Sequence, residues 1–115
     1  MKIFILEDNI FRQKWFRQNL VGHTVVMTDD VDEAKKLLLE TVYDLICLDH
    51  DLGDDRKYTG LDVAKCMHKT VNKDTRIVIH SMNPVGSDDM YNVMVDNGCG
   101  KVEKVMYFEL QKRLE

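Results

Sequence analysis

This 115-residue sequence has one proline, three cysteines, one tryptophan and no long apolar run. Without a stretch of about eighteen apolar residues no membrane-spanning helix is expected, and the first apolar run is too short for a signal peptide. Cys47, Cys66 and Cys99 are odd in number, widely spaced and without a CxxC pair. They read as reduced thiols in a cytoplasmic protein rather than as a disulfide framework. Neither charge sign dominates. Sixteen basic residues against twenty acidic ones give a net charge of −4, which argues against membrane association and general DNA binding. A charged or nucleotide ligand at a local site remains compatible with it. Repeats, low-complexity tracts and internal linkers are also missing. What remains is one domain over residues 1–115, large enough to bury a core without metal or disulfide staples.

What the chain does have is acid at the ends of short apolar runs. Ile3-Phe4-Ile5-Leu6 runs into Glu7-Asp8, and Leu45-Ile46-Cys47-Leu48 into Asp49-His50-Asp51. A third run, Ile77-Val78-Ile79, ends in His80-Ser81. Short, continuous, β-branched runs read as buried parallel strands, and ligands of open α/β sheets bind outside the carboxyl ends of the strands.

The rest of the pattern alternates strand with helix. A strand at Lys2–Leu6 is followed by a helix from Ile10 to Leu20, with Phe16 and Leu20 at i,i+4 spacing. A second strand is expected over His23–Thr28. Asp29 or Asp30 then caps a helix through Thr41 whose stripe is Val31, Ala34, Leu37, Leu38 and Thr41. Leu45–Asp49 is the third strand, followed by a polar loop from His50 to Thr59. Gly60 opens a helix to about Asn72 with Val63, Ala64, Met67 and Val71 inward. Arg76–His80 is the fourth strand. After an Asn83-Pro84 turn comes a helix over Ser87–Asn97 with Met90, Val93 and Met94 inward, stopped by Gly98. Lys101–Tyr107 supplies a last strand, and only a short helical tail can follow. This order predicts a flavodoxin-like α/β fold: a five-stranded parallel sheet, order 2-1-3-4-5, helices on both faces, and a shortened C-terminal helix. Strands one and three are then neighbours, so Glu7, Asp8 and Asp49 meet.

Glu7-Asp8, Asp49 and Ser81 stand where the receiver domains of response regulators carry an acidic pair, a phospho-accepting Asp and a Ser or Thr, and the chain resembles those domains over nearly its whole length. Two strings, Leu48-Asp49-His50-Asp51-Leu52-Gly53 and His80-Ser81-Met82-Asn83-Pro84, look more narrowly like a receiver-like subfamily predicted to process cyclic phosphates. One departure is notable. Receivers usually carry Lys-Pro at the end of strand five, whereas here Lys101 and Lys104 are only nearby and Val105-Met106 follow.

These residues suggest phosphate and metal chemistry. Glu7, Asp8 and Asp49 are hard oxygen donors suited to Mg²⁺ or Mn²⁺, and without a cation three crowded anions would repel. A histidine side chain ordinarily titrates near neutrality, so the pair His50 and His80 could divide base and acid work on a phosphodiester, with Asp51 orienting one imidazole. Ser81, Asn83 and Thr59 are candidates to grip phosphate through hydroxyl, amide and loop N–H groups. The leading reading is a divalent-metal-dependent protein processing a cyclic phosphate or phosphodiester, such as a small molecule, a nucleotide or an RNA end. The alternatives are a stand-alone signalling receiver phosphorylated on Asp49, and a degenerate receiver that only binds a partner protein.

Overall fold

The computed structural model describes residues 1–53 and 58–113. Residues 54–57 of the predicted polar loop and the last two residues of the tail lie outside the described set. The elements are β1 (Lys2–Leu6), α1 (Ile10–Asn19), β2 (Thr24–Thr28), α2 (Val31–Glu40), β3 (Leu45–Leu48), α3 (Gly60–Cys66), β4 (Arg76–Ile79), α4 (Pro84–Asp96), β5 (Val102–Lys104) and a single-turn α5 (Leu110–Arg113). The five strands form one parallel sheet in the order β2-β1-β3-β4-β5, as the pattern predicted.

Alternation along the strands divides the apolar residues between two faces. Phe4, Leu6, Ile46, Leu48, Ile77 and Ile79 pack beneath α2, α3 and α4, meeting Ala34, Leu38, Val63, Met67, Met90 and Met94. Ile3, Ile5, Leu45, Cys47 and Val78 face the other way, onto Phe16 of α1, Leu20 just past its end and Leu110 of α5. Each such fully buried aliphatic or aromatic side chain stabilises the fold by about 1.5–3 kcal/mol relative to exposure. None of the described helices is long and apolar enough to cross a membrane.

Three boundaries differ from the sequence expectation, each for a local reason. The third helix gives way to a 3₁₀ turn over Met67–Lys69 instead of running to Asn72. Asn72 is pulled inward, where its amide donates to the carbonyls of Leu38 (2.7 Å) and Thr41 (2.8 Å) and its oxygen accepts from Tyr43 N–H (2.9 Å). Val71 is therefore exposed rather than inward. The fourth helix starts three residues early: Pro84 occupies its first turn, and Asn83 is the cap, accepting from Gly86 N–H at 3.0 Å. Proline at that position loses no hydrogen bond, so the Asn-Pro pair starts the helix instead of preceding it. The last strand covers only Val102–Lys104 within the predicted Lys101–Tyr107.

Candidate functional site

The register explains which side chains meet. Leu6 pairs with Leu48, and Leu48 with Ile79. The ladder runs one residue further, with Asp49 N–H donating to Leu6 O (3.1 Å) and His80 N–H to Leu48 O (3.0 Å). Glu7, Asp49 and His80 thus form one row across three adjacent strands, on the face that carries Ile5, Cys47 and Val78. All three are buried, and each offers a ligand atom within 4.8 Å of the others.

Glu7 is the hub. Its Oε1 accepts from Arg12 Nε–H at 2.7 Å and lies 3.1 Å from His80 Nε2, while Oε2 accepts from Asn9 N–H at 3.0 Å and Arg12 Nη2 at 3.3 Å. Burial alone would raise this carboxyl, but the hydrogen bonds from His80 and Arg12 outweigh it and hold Glu7 at about 2. Burial pushes the His80 imidazole below its usual range. A neutral ring with Nε2–H donating to Glu7 fits that shift. Its Nδ1 then has no hydrogen-bond partner among the described residues, and the ring edge meets Phe16 at 5.1 Å between centroids.

Asp49 is less well served. One oxygen accepts from the N–H of His50 at 2.8 Å, but Arg12 Nη2 stands 3.4 Å from the other, longer than a charge-assisted bond. Burial, then the charge of Glu7, pushes Asp49 up to about 7. Asp8 is raised by the same two causes. Asp8 is absent from the buried row. It lines a neighbouring cleft of about 270 Å³ with Asn9, Arg12, Asp51, Leu52, Gly53 and Thr59.

His50 follows Asp49 by one residue and so faces the opposite side of the sheet edge. Its Nδ1 is 2.7 Å from Asp51 Oδ1, which also accepts from the Asn83 amide at 3.2 Å. The hydrogen bond from His50 lowers the Asp51 carboxyl below its usual range. The ring lies against Gly86, where an added Cβ would sit 2.5 Å from His50 Cγ. Gly60 is constrained likewise: a Cβ there would fall 1.8 Å from the carbonyl oxygen of Asp49, so α3 can start this close to β3 only with glycine.

The structure brings together Glu7, Asp49 and His80 in one group and His50, Asp51 and Asn83 in another. Of the predicted phosphate-gripping residues it joins Ser81 to Asn83 and sets Thr59 apart from them. Thr59 lines the cleft while capping α3, accepting from Leu61 N–H at 3.2 Å as its own N–H donates to Asp62 at 2.9 Å. Ser81 lies by a separate groove with Met82, Pro84 and Lys104, its hydroxyl accepting from Asn83 N–H. Asn83 has its oxygen on Gly86 and its amide on Asp51. Lys104 ends β5 with its amine 2.5 Å from Asp88 and over the Tyr91 ring. Sequence reasoning missed Arg12. The signal was the apolar stripe Phe16 and Leu20, which extended back by four residues reaches Arg12 on the inner face of α1.

The donor set suits a divalent cation. Two carboxylates and an imidazole converge, and burial, followed by the charge of Glu7, raises both the Asp49 and the Asp8 carboxyls.

A doubly wound parallel sheet with acids gathered at its carboxyl edge is the architecture of a receiver domain, and solved structures agree. The chain superposes on the phosphorylated cyanobacterial phytochrome response regulator RcpA with a TM-score of 0.74 and 25% identity, covering 99% of this chain and 90% of that one. It superposes on the magnesium-bound receiver domain of the Pseudomonas aeruginosa histidine kinase PA1611 at 0.73 and 21%, covering 98% and 93%. The receiver domain of the Arabidopsis thaliana kinase CKI1, complexed with Mg²⁺ and BeF₃⁻, gives 0.70 and 17% over 98% and 86%. No curated protein matches the chain. Residues 1–96 match the family model of the cyclic-phosphate processing receiver domain, and the chain belongs to that family.

Proposed function

We propose that this receiver domain processes a cyclic phosphate or phosphodiester with a divalent cation, and that His50 is its proton carrier. The observation behind this reading is the hydrogen-bonded chain Asn83–Asp51–His50. Asp51 takes the Nδ1–H of the imidazole, which leaves Nε2 as the basic nitrogen, and Gly86 fixes the plane of the ring. A switch that only moves phosphate to Asp49 has no use for a histidine oriented in this way.

Glu7 and Asp49 would hold Mg²⁺ or Mn²⁺, with Asp8 at the rim of the cleft. The cation supplies Lewis-acid neutralisation of phosphate charge. His50 Nε2 accepts a proton from water as that water's oxygen bonds to phosphorus. One ring P–O bond then breaks, and the leaving oxygen recovers the proton from His50. His80 is buried and bonded to Glu7, which favours a positioning role behind the carboxylate over the paired acid role.

The test is turnover of a panel of 2′,3′-cyclic and 3′,5′-cyclic nucleotides with Mg²⁺ or Mn²⁺. His50→Ala is expected to lower kcat by about 10²–10⁴-fold, the usual worth of a general base. No turnover of any substrate, together with a stable acyl phosphate on Asp49 from a small phosphodonor, would replace this reading with the signalling one.

A further inference from the structure

An anionic ligand entering a cleft walled by Asp8 and Asp51 needs a cation to meet it. Lys104 ends β5, where receivers carry their lysine, but its amine is held by Asp88. Arg12 is placed differently. It lines the same cleft with its side chain 22% exposed, and its guanidinium reaches Glu7 at 2.7 Å and 3.3 Å and Asp49 at 3.4 Å. Among the described residues its remaining terminal nitrogen, Nη1, meets only the thioether sulfur of Met82 at 4.0 Å. A guanidinium has five N–H donors and a thioether is a weak acceptor. Arg12 thus lines the cleft while its underused Nη1 turns toward Met82 of the neighbouring groove, and its charge sits where the carboxylates would otherwise hold a metal.

We propose that Arg12 is the phosphate-binding cation of this site, and that it serves as the counter-ion of Glu7 and Asp49 until a divalent cation takes those carboxylates. This rests on the reading of the cleft as a phosphate site. Two positive groups compete for one pair of carboxylates, so metal binding weakens the hold on Arg12. The freed fork of donors then matches two phosphate oxygens, a geometry that lysine cannot reproduce. The long contact to Asp49 against the short one to Glu7 indicates the order of release: Asp49 first.

The test compares the whole chain with Arg12→Gln and Arg12→Lys, each checked by circular dichroism. Mn²⁺ affinity is read from the free-ion electron paramagnetic resonance signal, and inorganic phosphate affinity by calorimetry in saturating Mg²⁺. Arg12→Gln is expected to bind Mn²⁺ at least about fivefold more tightly, at the low end of usual site–site coupling. It should bind phosphate at least about tenfold more weakly, as expected for a lost charge-assisted pair. Arg12→Lys should lose part of the phosphate affinity while holding Mn²⁺ near the wild-type value. If Arg12→Gln does not fold, Arg12→Lys decides on its phosphate affinity alone. Unchanged phosphate affinity in the folded variants, weaker Mn²⁺ binding in Arg12→Gln, or no phosphate binding by the wild type would each overturn the proposal. None of these readouts depends on turnover, so failure of the cyclic-phosphate reaction is distinguishable from failure of Arg12.

Discussion

Replacing Asp49 by Asn should make the metal-free protein more stable in alkaline solution, although it removes a charged partner of Arg12. The Asp49 side chain is 3% exposed, and its nearest cation is 3.4 Å away. Its carboxyl, 3.8 when unperturbed, is pushed up to about 7 by burial and then by Glu7. The unfolded chain ionises near 3.8 while the folded one stays protonated until about 7. Between those values the folded state binds more protons, so stability falls as pH rises. The full penalty is present above pH 7. At about 1.4 kcal/mol per pH unit the gap amounts to at most about 4 kcal/mol, and proton sharing with Glu7 reduces it to about 2–4. Asn cannot ionise, still accepts from His50 N–H, and can donate to Glu7. Urea unfolding with EDTA at pH 8.5 should therefore show Asp49→Asn more stable by about 2–4 kcal/mol, with the two proteins converging only as pH falls below 3.8. Glu7 acts in a separate window, because its depressed carboxyl adds stability above 4.5 that is lost only as pH falls toward about 2. Saturating Mg²⁺ should stabilise the wild type and scarcely change the variant. If Asp49→Asn is no more stable than wild type at pH 8.5, Arg12 fully neutralises Asp49 and the reasoning fails.

Two further substitutions separate chemistry from stability. Gly86→Ala puts a methyl 2.5 Å from His50 Cγ. It should shift the His50 imidazole resonances and lower turnover more than about tenfold, while the gain in helix propensity of up to about 1 kcal/mol keeps the unfolding midpoint near wild type. Asn72→Ala, at the opposite edge of the sheet, leaves Tyr43 N–H and the carbonyls of Leu38 and Thr41 without their partner. It should cost about 2–4 kcal/mol in urea unfolding and leave Mn²⁺ affinity unchanged.

The strand order and the meeting of Glu7 with Asp49 were readable because each rests on a short-range pattern. Apolar runs ending in acids mark carboxyl edges, and strand–helix alternation fixes crossover handedness. The register was not readable, and the site depends on it. Only once Leu6, Leu48 and Ile79 stand in one row does His80 come beside Glu7, with Asp8 turned to the cleft. Arg12 escaped notice because Lys14 and Arg17 surround it on the same short helix, and spacing to Phe16 alone separates an inward arginine from outward ones. Asn83 was misjudged for a different reason. Its pairing with Pro84 resembles a turn, whereas the cap it forms is visible only from the hydrogen bond with Gly86.

The two histidines are unequal because side chains along a strand alternate in direction. Glu7, Asp49 and His80 fall on the α1 face of the sheet, whereas His50, one residue past Asp49, falls on the α4 face against Gly86. A base and a metal site that share a ligand must then do so across the strand ends, with the ligand astride the edge. That placement imposes a division of labour. In the proposed reaction the buried row would hold the cation beside Arg12, and proton transfer would come from His50 on the other face. His50 is suited to this by its half-open setting, its side chain being 16% exposed. Moving the imidazole to the buried side would bury the proposed base, and moving the carboxylates to the open side would remove the burial that raises Asp49. On this argument the alternation that splits the histidines is the condition for having both a raised carboxyl and an accessible base at one sheet edge.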